Sequence, residues 1–359
     1  MDEVYRRLAE HLDRLPDGFP PSESGAEIRL LRRLFTLEEA ELAVHLTLER
    51  EGAEAIASRA HLTEEEAERR LGEMARKGLI FSAESEEGKV LYQAAPFVIG
   101  IYEFQVNRLS DEFLKDLSDY WSTVKEREEP RTISQMRTIP INESIDPRLE
   151  VLPYENVYAL VEAHDKFAVA PCICRSRAKK LGRGCDAPID TCLIFGDFAD
   201  YYVRTGRGRR ITKEEVKQLL AKANEANLVL NPTNSMLISA ICCCCGCCCG
   251  ILRGLKYEKK PSEAVASSFI AEYDESKCIG CLKCVDRCQM DAMTLDANSV
   301  RSNKDRCIGC GLCVSTCPTG ALSLVRKPDR GEKLPETFFD TWRVIAKQRG
   351  AAHLNGGCF

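Results

Sequence analysis

Two copies of one cysteine spacing lie near the end of the sequence: Cys278-x2-Cys281-x2-Cys284-x3-Cys288 and, after 18 residues, Cys307-x2-Cys310-x2-Cys313-x3-Cys317-Pro318. Ile279-Gly280 and Ile308-Gly309 fall at matching positions, so the pattern is a duplication. Eight thiols held at fixed spacing leave a chain little freedom, because the loops that carry them must converge on something soft enough to occupy sulfur. The sequence holds 20 cysteines in 359 residues, and it opens Met1-Asp2-Glu3-Val4 as an acidic amphipathic helix, without the basic and then apolar pattern of a secretory leader. No apolar stretch is long enough to span a bilayer. These features favour metal ligands in a reducing, oxygen-poor cytoplasm over a disulfide framework.

Across about residues 268–326 the tandem resembles the bacterial two-cluster ferredoxins. The resemblance implies two [4Fe-4S] clusters, the fourth cysteine of each motif ligating the other cluster. Carried onto this sequence, Cys278, Cys281, Cys284 and Cys317 hold one cluster, and Cys307, Cys310, Cys313 and Cys288 the other. The motif glycines let a loop wrap a cluster with its backbone N–H groups toward sulfur. One departure stands out: Gln289 follows Cys288 where the family has Pro.

Upstream, seven of the eight positions from Cys242 to Cys249 are cysteine, interrupted only by Gly246. A hydrophobic core has no need of such a run, and thiols this dense oxidise unless a thiophilic metal occupies them. Cys172, Cys174, Cys185 and Cys192 fall within 21 residues before it, at a spacing unlike that of common zinc fingers. Together with Cys242, Cys244, Cys245, Cys247, Cys248 and Cys249 they are read as iron ligands of one or two further iron-sulfur clusters. Adjacent cysteines have diverging side chains and are expected to serve different centres. The order of elements over residues 155–255 (PCxCR, a GxGC segment, a capped helix, then the run) resembles iron-sulfur proteins of anaerobes with no assigned reaction, in which an Asn stands where Cys243 is here. Cys358 is read as an incidental residue of a terminal tail, with folding back to the upstream site as the alternative.

The remainder reads as a multidomain α+β chain. Residues 1–95 carry helical periodicities, Thr63 and Glu66 as a capping box, Gly78 as a stop, and a hairpin around Glu86 to Lys89. This order resembles the winged-helix domains of MarR-type regulators. Residues 96–148 are a helical connector, helical from Phe97 to Leu117 and loop from Pro130 to Pro147. Residues 149–260 form a mostly α, cysteine-rich domain that binds metal or clusters. Residues 261–326 are the ferredoxin domain, and 327–359 a C-terminal helix and tail.

Charge separates these parts. Residues 1–130 hold 17 Lys and Arg against 29 Asp and Glu, whereas residues 168–260 hold 16 against 8. The basic excess is expected to stabilise anionic thiolate centres, and the acidic N-terminal part to disfavour DNA, leaving a protein partner. None of the five histidines, His164 included, falls at a ligand spacing, and no phosphate-binding loop or catalytic triad is present. The pattern points to an electron-transfer protein or subunit that serves redox partners within a larger oxidoreductase complex. A redox-sensing transcription regulator is the first alternative. A reductase with a catalytic unusual cluster at the run is the second.

Overall fold

The computed structural model describes residues 2–124, 133–297, 299–328 and 333–351. It mixes α and β structure and divides into two units: residues 1–135 with 200–208 and 339–359, and residues 136–199 with 209–338. Cys358 and the charge run Lys125 to Arg131 lie outside the described residues. No helix among the described residues is long and apolar enough to cross a membrane.

The first unit begins with helices Asp2–Arg14, Ala26–Leu34, Leu37–Ala43, Ala53–Ala60 and Glu64–Lys77, followed by the antiparallel hairpin of β1 (Phe81–Glu84) and β2 (Val90–Gln93). Thr36 caps the third helix through a reciprocal box with Glu39, and Thr63 accepts the Glu66 N–H at the start of the fifth. Gly78 ends that fifth helix in the left-handed conformation, where an added Cβ would run into the Arg207 guanidinium and Phe104. Three of the four basic side chains of this helix are paired with carboxylates: Arg69 with Glu73, Arg70 with Glu66, and Lys77 with Glu39. The continuous helix expected from Phe97 to Leu117 is replaced by a turn over Phe97–Ile101, a 3-10 turn over Glu103–Gln105 and a helix at Asp111–Thr123. Ile99 sits at φ 52°, which breaks the first turn, and Ser110 accepts the Phe113 N–H, so a fresh cap starts the helix later.

The second unit is built on a five-stranded sheet, which corrects the expectation of a mostly helical cysteine-rich region. Its strands are β3 (Phe167–Pro171), β4 (Asp190–Phe195), β5 (Arg209–Arg210), β6 (Val229–Pro232) and β7 (Ala240–Cys244), ordered β5-β3-β4-β7-β6 with antiparallel neighbours. β3, β4 and β6 are short and their buried residues run nearly unbroken, so they lack the alternation that marks a half-buried strand in sequence. The stretch expected to be loop before residue 147 acts as a strap. Met136 bridges Thr233, the Ile139 N–H reaches the Leu230 carbonyl beside edge strand β6, and the Ile141 N–H continues to the Cys310 carbonyl. The remaining strands are β8 (Phe269–Tyr273), β9 (Met293–Asp296), β10 (Ser299–Ser302) and β11 (Leu322–Arg326), which pair as β8 with β11 and β9 with β10.

One apolar core underlies the sheet and extends beyond it. Val169, Leu193, Phe195, Leu230 and Ile241 belong to it together with Cys243, Cys244, Cys248 and Cys249 of the run and Met290, Ile308 and Leu312 of the duplicated segment. A smaller core of Ala271, Met293, Val300 and Leu322 packs between the two β-pairs that follow.

Candidate metal centres

The duplicated motifs surround two cavities. Cys307, Cys310 and Cys313 line one, and its fourth cysteine is Cys288 from the other motif. Cys278, Cys281 and Cys284 line the second, completed by Cys317. The remaining walls are largely apolar, with Ala271, Met290 and Met293 around the first and Val300 and Leu322 around the second. Backbone N–H groups point at the sulfurs: Ala271 to Cys307 at 3.3 Å, Ala292 to Cys288 at 3.1 Å and Gly280 to Cys278 at 3.4 Å. Gly280 and Gly309 have φ of 70° and 71°, and a Cβ at Gly309 would overlap the Phe269 carbonyl. Four thiols, an apolar wall and N–H donors to sulfur are what a cube of iron and sulfide requires of its host. Residues 271–324 match the family model described as a 4Fe-4S dicluster domain. This segment is a 4Fe-4S dicluster domain. It implies two [4Fe-4S] clusters. No curated protein and no solved structure matches the chain.

The two quartets of the dicluster domain differ in surroundings. Cys281 is exposed and its neighbour Ile279 is 67% exposed, so the first quartet lies at the surface. The second is packed inward, and burial pushes the Cys310 thiol up to about 12. Beside it, the Gln289 side chain accepts the Gly246 N–H at 2.6 Å, joining the dicluster domain to the middle of the cysteine run. A Cβ at Gly246 would overlap the Gln289 carbonyl, so glycine is required for this approach. The junction is flanked by Arg287 donating to the Asn224 carbonyl at 3.0 Å and by Lys256 paired with Asp291 at 3.1 Å.

The eleven upstream thiols fall into two groups, with Cys243 apart. In the first group, Cys185, Cys245, Cys247 and Cys248 place all four Sγ atoms within 4.8 Å of one another. In the second, Cys249 donates to Cys244 at 3.2 Å, and the thiol pairs Cys172–Cys174, Cys174–Cys249, Cys244–Cys242 and Cys242–Cys192 lie near enough to shift one another's ionisation. Strand geometry makes this division. Cys192 and Cys242 are cross-strand partners, and Cys244 shares the Cys242 face two residues on, while Cys243 points the other way and is 2% exposed in the core. After β7 the chain turns, with the Cys249 N–H on the Cys245 carbonyl, and the adjacent Cys247 and Cys248 converge to 3.6 Å between sulfurs. The expectation that neighbouring cysteines diverge therefore holds within the strand and fails in the turn.

Local electrostatics favour thiolate at Cys245, whereas neighbouring thiols and burial raise Cys172, Cys174, Cys242, Cys244, Cys247, Cys248 and Cys249. Cys172 and Cys249 are the N-cap residues of helices Ile173–Lys180 and Gly250–Tyr257, so both helix N-termini face the six-sulfur group, where their dipoles favour negative charge. Burial raises the Cys245 thiol, but the Cys248 N–H and the Arg175 guanidinium outweigh it and bring that thiol down to about 7. Burial, against the opposing pull of Arg175 and with a smaller push from Cys172, raises the Cys243 thiol to about 12. Arg175 is 1% exposed, donates to the Cys243 carbonyl at 3.0 Å and to the Cys245 sulfur at 3.7 Å, and also holds Thr191 Oγ1. Burial opposes its charge, and the Cys172, Cys245 and Cys243 thiols restore and raise it.

Arg175 was visible in the sequence only as the last letter of PCxCR, because its partners lie 68 and 70 residues away. Asn231 carried no signal at all. It pairs with Cys242 in register, and its side-chain carbonyl accepts from the Thr138 hydroxyl at 2.7 Å. The general basic excess of residues 168–260 divides on inspection: Arg204 donates to Ser82, and Arg207 to the Phe104 and Arg76 carbonyls, in the first unit. His164 contacts the Leu160 carbonyl at 2.8 Å and sits edge-on to Phe195, as a packed histidine rather than a ligand.

Proposed function

We propose that the chain is an iron-sulfur electron-transfer protein or subunit that passes single electrons between a donor, the dicluster domain, the upstream cysteine site and a partner oxidoreductase. Iron-sulfur clusters, when bound, supply one-electron chemistry that needs no acid, base or nucleophile from the chain. The chain's residues supply position and insulation. In this reading Cys278, Cys281, Cys284 and Cys317 ligate one cluster, Cys307, Cys310, Cys313 and Cys288 the other, and the cysteines from Cys172 to Cys249 other than Cys243 ligate further metal.

The observation that carries the reading is the Gln289 to Gly246 hydrogen bond, which brings the inward quartet against the cysteine run inside one core. The exposed Cys281 and Ile279 favour the other quartet as the docking side for a redox partner. Residues 1–95 are, on this reading, a winged-helix-like module for a protein partner. The pairing of Arg69, Arg70 and Lys77 with carboxylates speaks against a DNA surface, and so against the regulator reading. The setting proposed is the cytoplasm of an oxygen-poor cell.

Anaerobic reductive titration of the full chain tests the proposal. The two clusters of the dicluster domain accept about two electrons per chain, so the expected result is uptake beyond that, with a signal distinct from the dicluster domain. Uptake that stops with the dicluster domain would end the path there and overturn the reading.

A further inference from the structure

Among the described residues, one group of three or more candidate ligand atoms is gathered within 4.8 Å: Cys185, Cys245, Cys247 and Cys248. The dicluster quartets are not gathered so closely, and the reason is chemical. A [4Fe-4S] cube interposes iron and sulfide between every pair of terminal thiolates and so holds them apart around a cavity. A single tetrahedral ion draws its four sulfurs together; a metal–sulfur bond of about 2.3 Å places them about 3.8 Å from one another. The distances found are 3.8 Å for Cys185 to Cys245, 3.8 Å for Cys185 to Cys248 and 3.6 Å for Cys247 to Cys248.

We propose that Cys185, Cys245, Cys247 and Cys248 form a mononuclear tetrathiolate site for one zinc or iron ion, separate from the six-sulfur group of Cys172, Cys174, Cys192, Cys242, Cys244 and Cys249. The proposal rests on the reading that the upstream cysteines bind metal, and it divides that binding between two sites of different nuclearity. Three ligands come from one four-residue turn, and the fourth from the loop after helix Ile173–Lys180. The ion would clip that loop to the turn. The turn is also the point that Gln289 engages, so the clip fixes Gly246 where the dicluster domain meets it. Arg175, donating to the Cys245 sulfur, offsets part of the charge of four thiolates on a divalent ion.

The test is zinc, iron and acid-labile sulfide counting on the anaerobically purified full chain, in parallel with Cys247→Ser and Cys185→Ser. Cys247 is exposed, so its variant spares the core. Each variant is expected to lose one metal ion per chain with sulfide unchanged, the retained sulfide also showing that the fold and the clusters survive. X-ray absorption at the edge of the lost metal is expected to show sulfur neighbours and no second metal. Loss of iron together with sulfide in either variant overturns the mononuclear site while leaving upstream metal binding intact. A wild-type chain with about eight iron, equal sulfide and no zinc, which is the content of the dicluster domain alone, sinks both this proposal and the reading beneath it.

Discussion

Arg175 is a buried cation set against the upstream sulfurs. Its guanidinium spans three acceptors from two strands and a turn: the Cys243 carbonyl, the Cys245 sulfur and Thr191 Oγ1. Lysine keeps the charge but lacks the planar fork, so it leaves at least one of these groups buried without a donor. Arg175→Lys is therefore expected to destabilise the metal-loaded chain by on the order of 2 to 4 kcal/mol and to lower metal retention. Chemical unfolding and metal analysis read the two effects, and a change within about 0.5 kcal/mol would show that the fork is dispensable. At this scale the sequence was uneven in what it showed. Spacing alone marked the eight dicluster cysteines, because each motif is local. The roles of Arg175 and Asn231 are set by partners many residues away, and no spacing encodes them.

At the scale of elements, Gln289 resolves the one departure from the ferredoxin pattern. Proline there would fix the backbone but could not offer the side-chain acceptor that meets the Gly246 N–H. Gln289→Ala should cost about 1 kcal/mol, the usual net worth of one such hydrogen bond. Gly246→Ala should cost more, about 1 to 3 kcal/mol, since the new Cβ must push the Gln289 carbonyl aside. In both variants the dicluster domain should keep its own spectrum, while stopped-flow reduction of the upstream site slows. An unchanged upstream rate in both would remove the junction from the electron path. The same scale explains what sequence reading lost. Phe167–Ala170 of β3 is legible as a short buried strand, but β4 and β6 are brief, nearly continuous buried runs, so the helix of Lys213–Glu225, with its full Thr212 and Glu215 box, stood out while the rest of the sheet did not. The strap from Met136 to Ile141 has no periodicity of its own, being shaped by the edge strand and the Cys310 carbonyl.

For the molecule as a whole, the decisive fact is that the cysteine run and the dicluster domain share a core. Cys244, Cys248 and Cys249 belong to the same apolar cluster as Met290, Ile308 and Leu312, with Cys288 and Cys310 packed against it. Sequence boundaries separate these segments because the ferredoxin repeat is self-contained as a pattern. Burial joins them, since each alone would expose the apolar face that the other covers. Metal binding to sites absent from the unfolded chain is folding free energy, so removing iron from one segment withdraws support from the other. Anaerobic chelation followed by hydrogen exchange should then expose the amides of β4, β6 and β7 together with those of residues 271–324. The helices of the first unit, whose core of Leu8, Leu30, Leu31, Ile56, Leu71 and Met74 contains no cysteine among the described residues, should keep their protection. If instead the sheet stays protected while the dicluster domain opens, the two segments fold independently and the shared core contributes little to holding the upstream sulfurs in place.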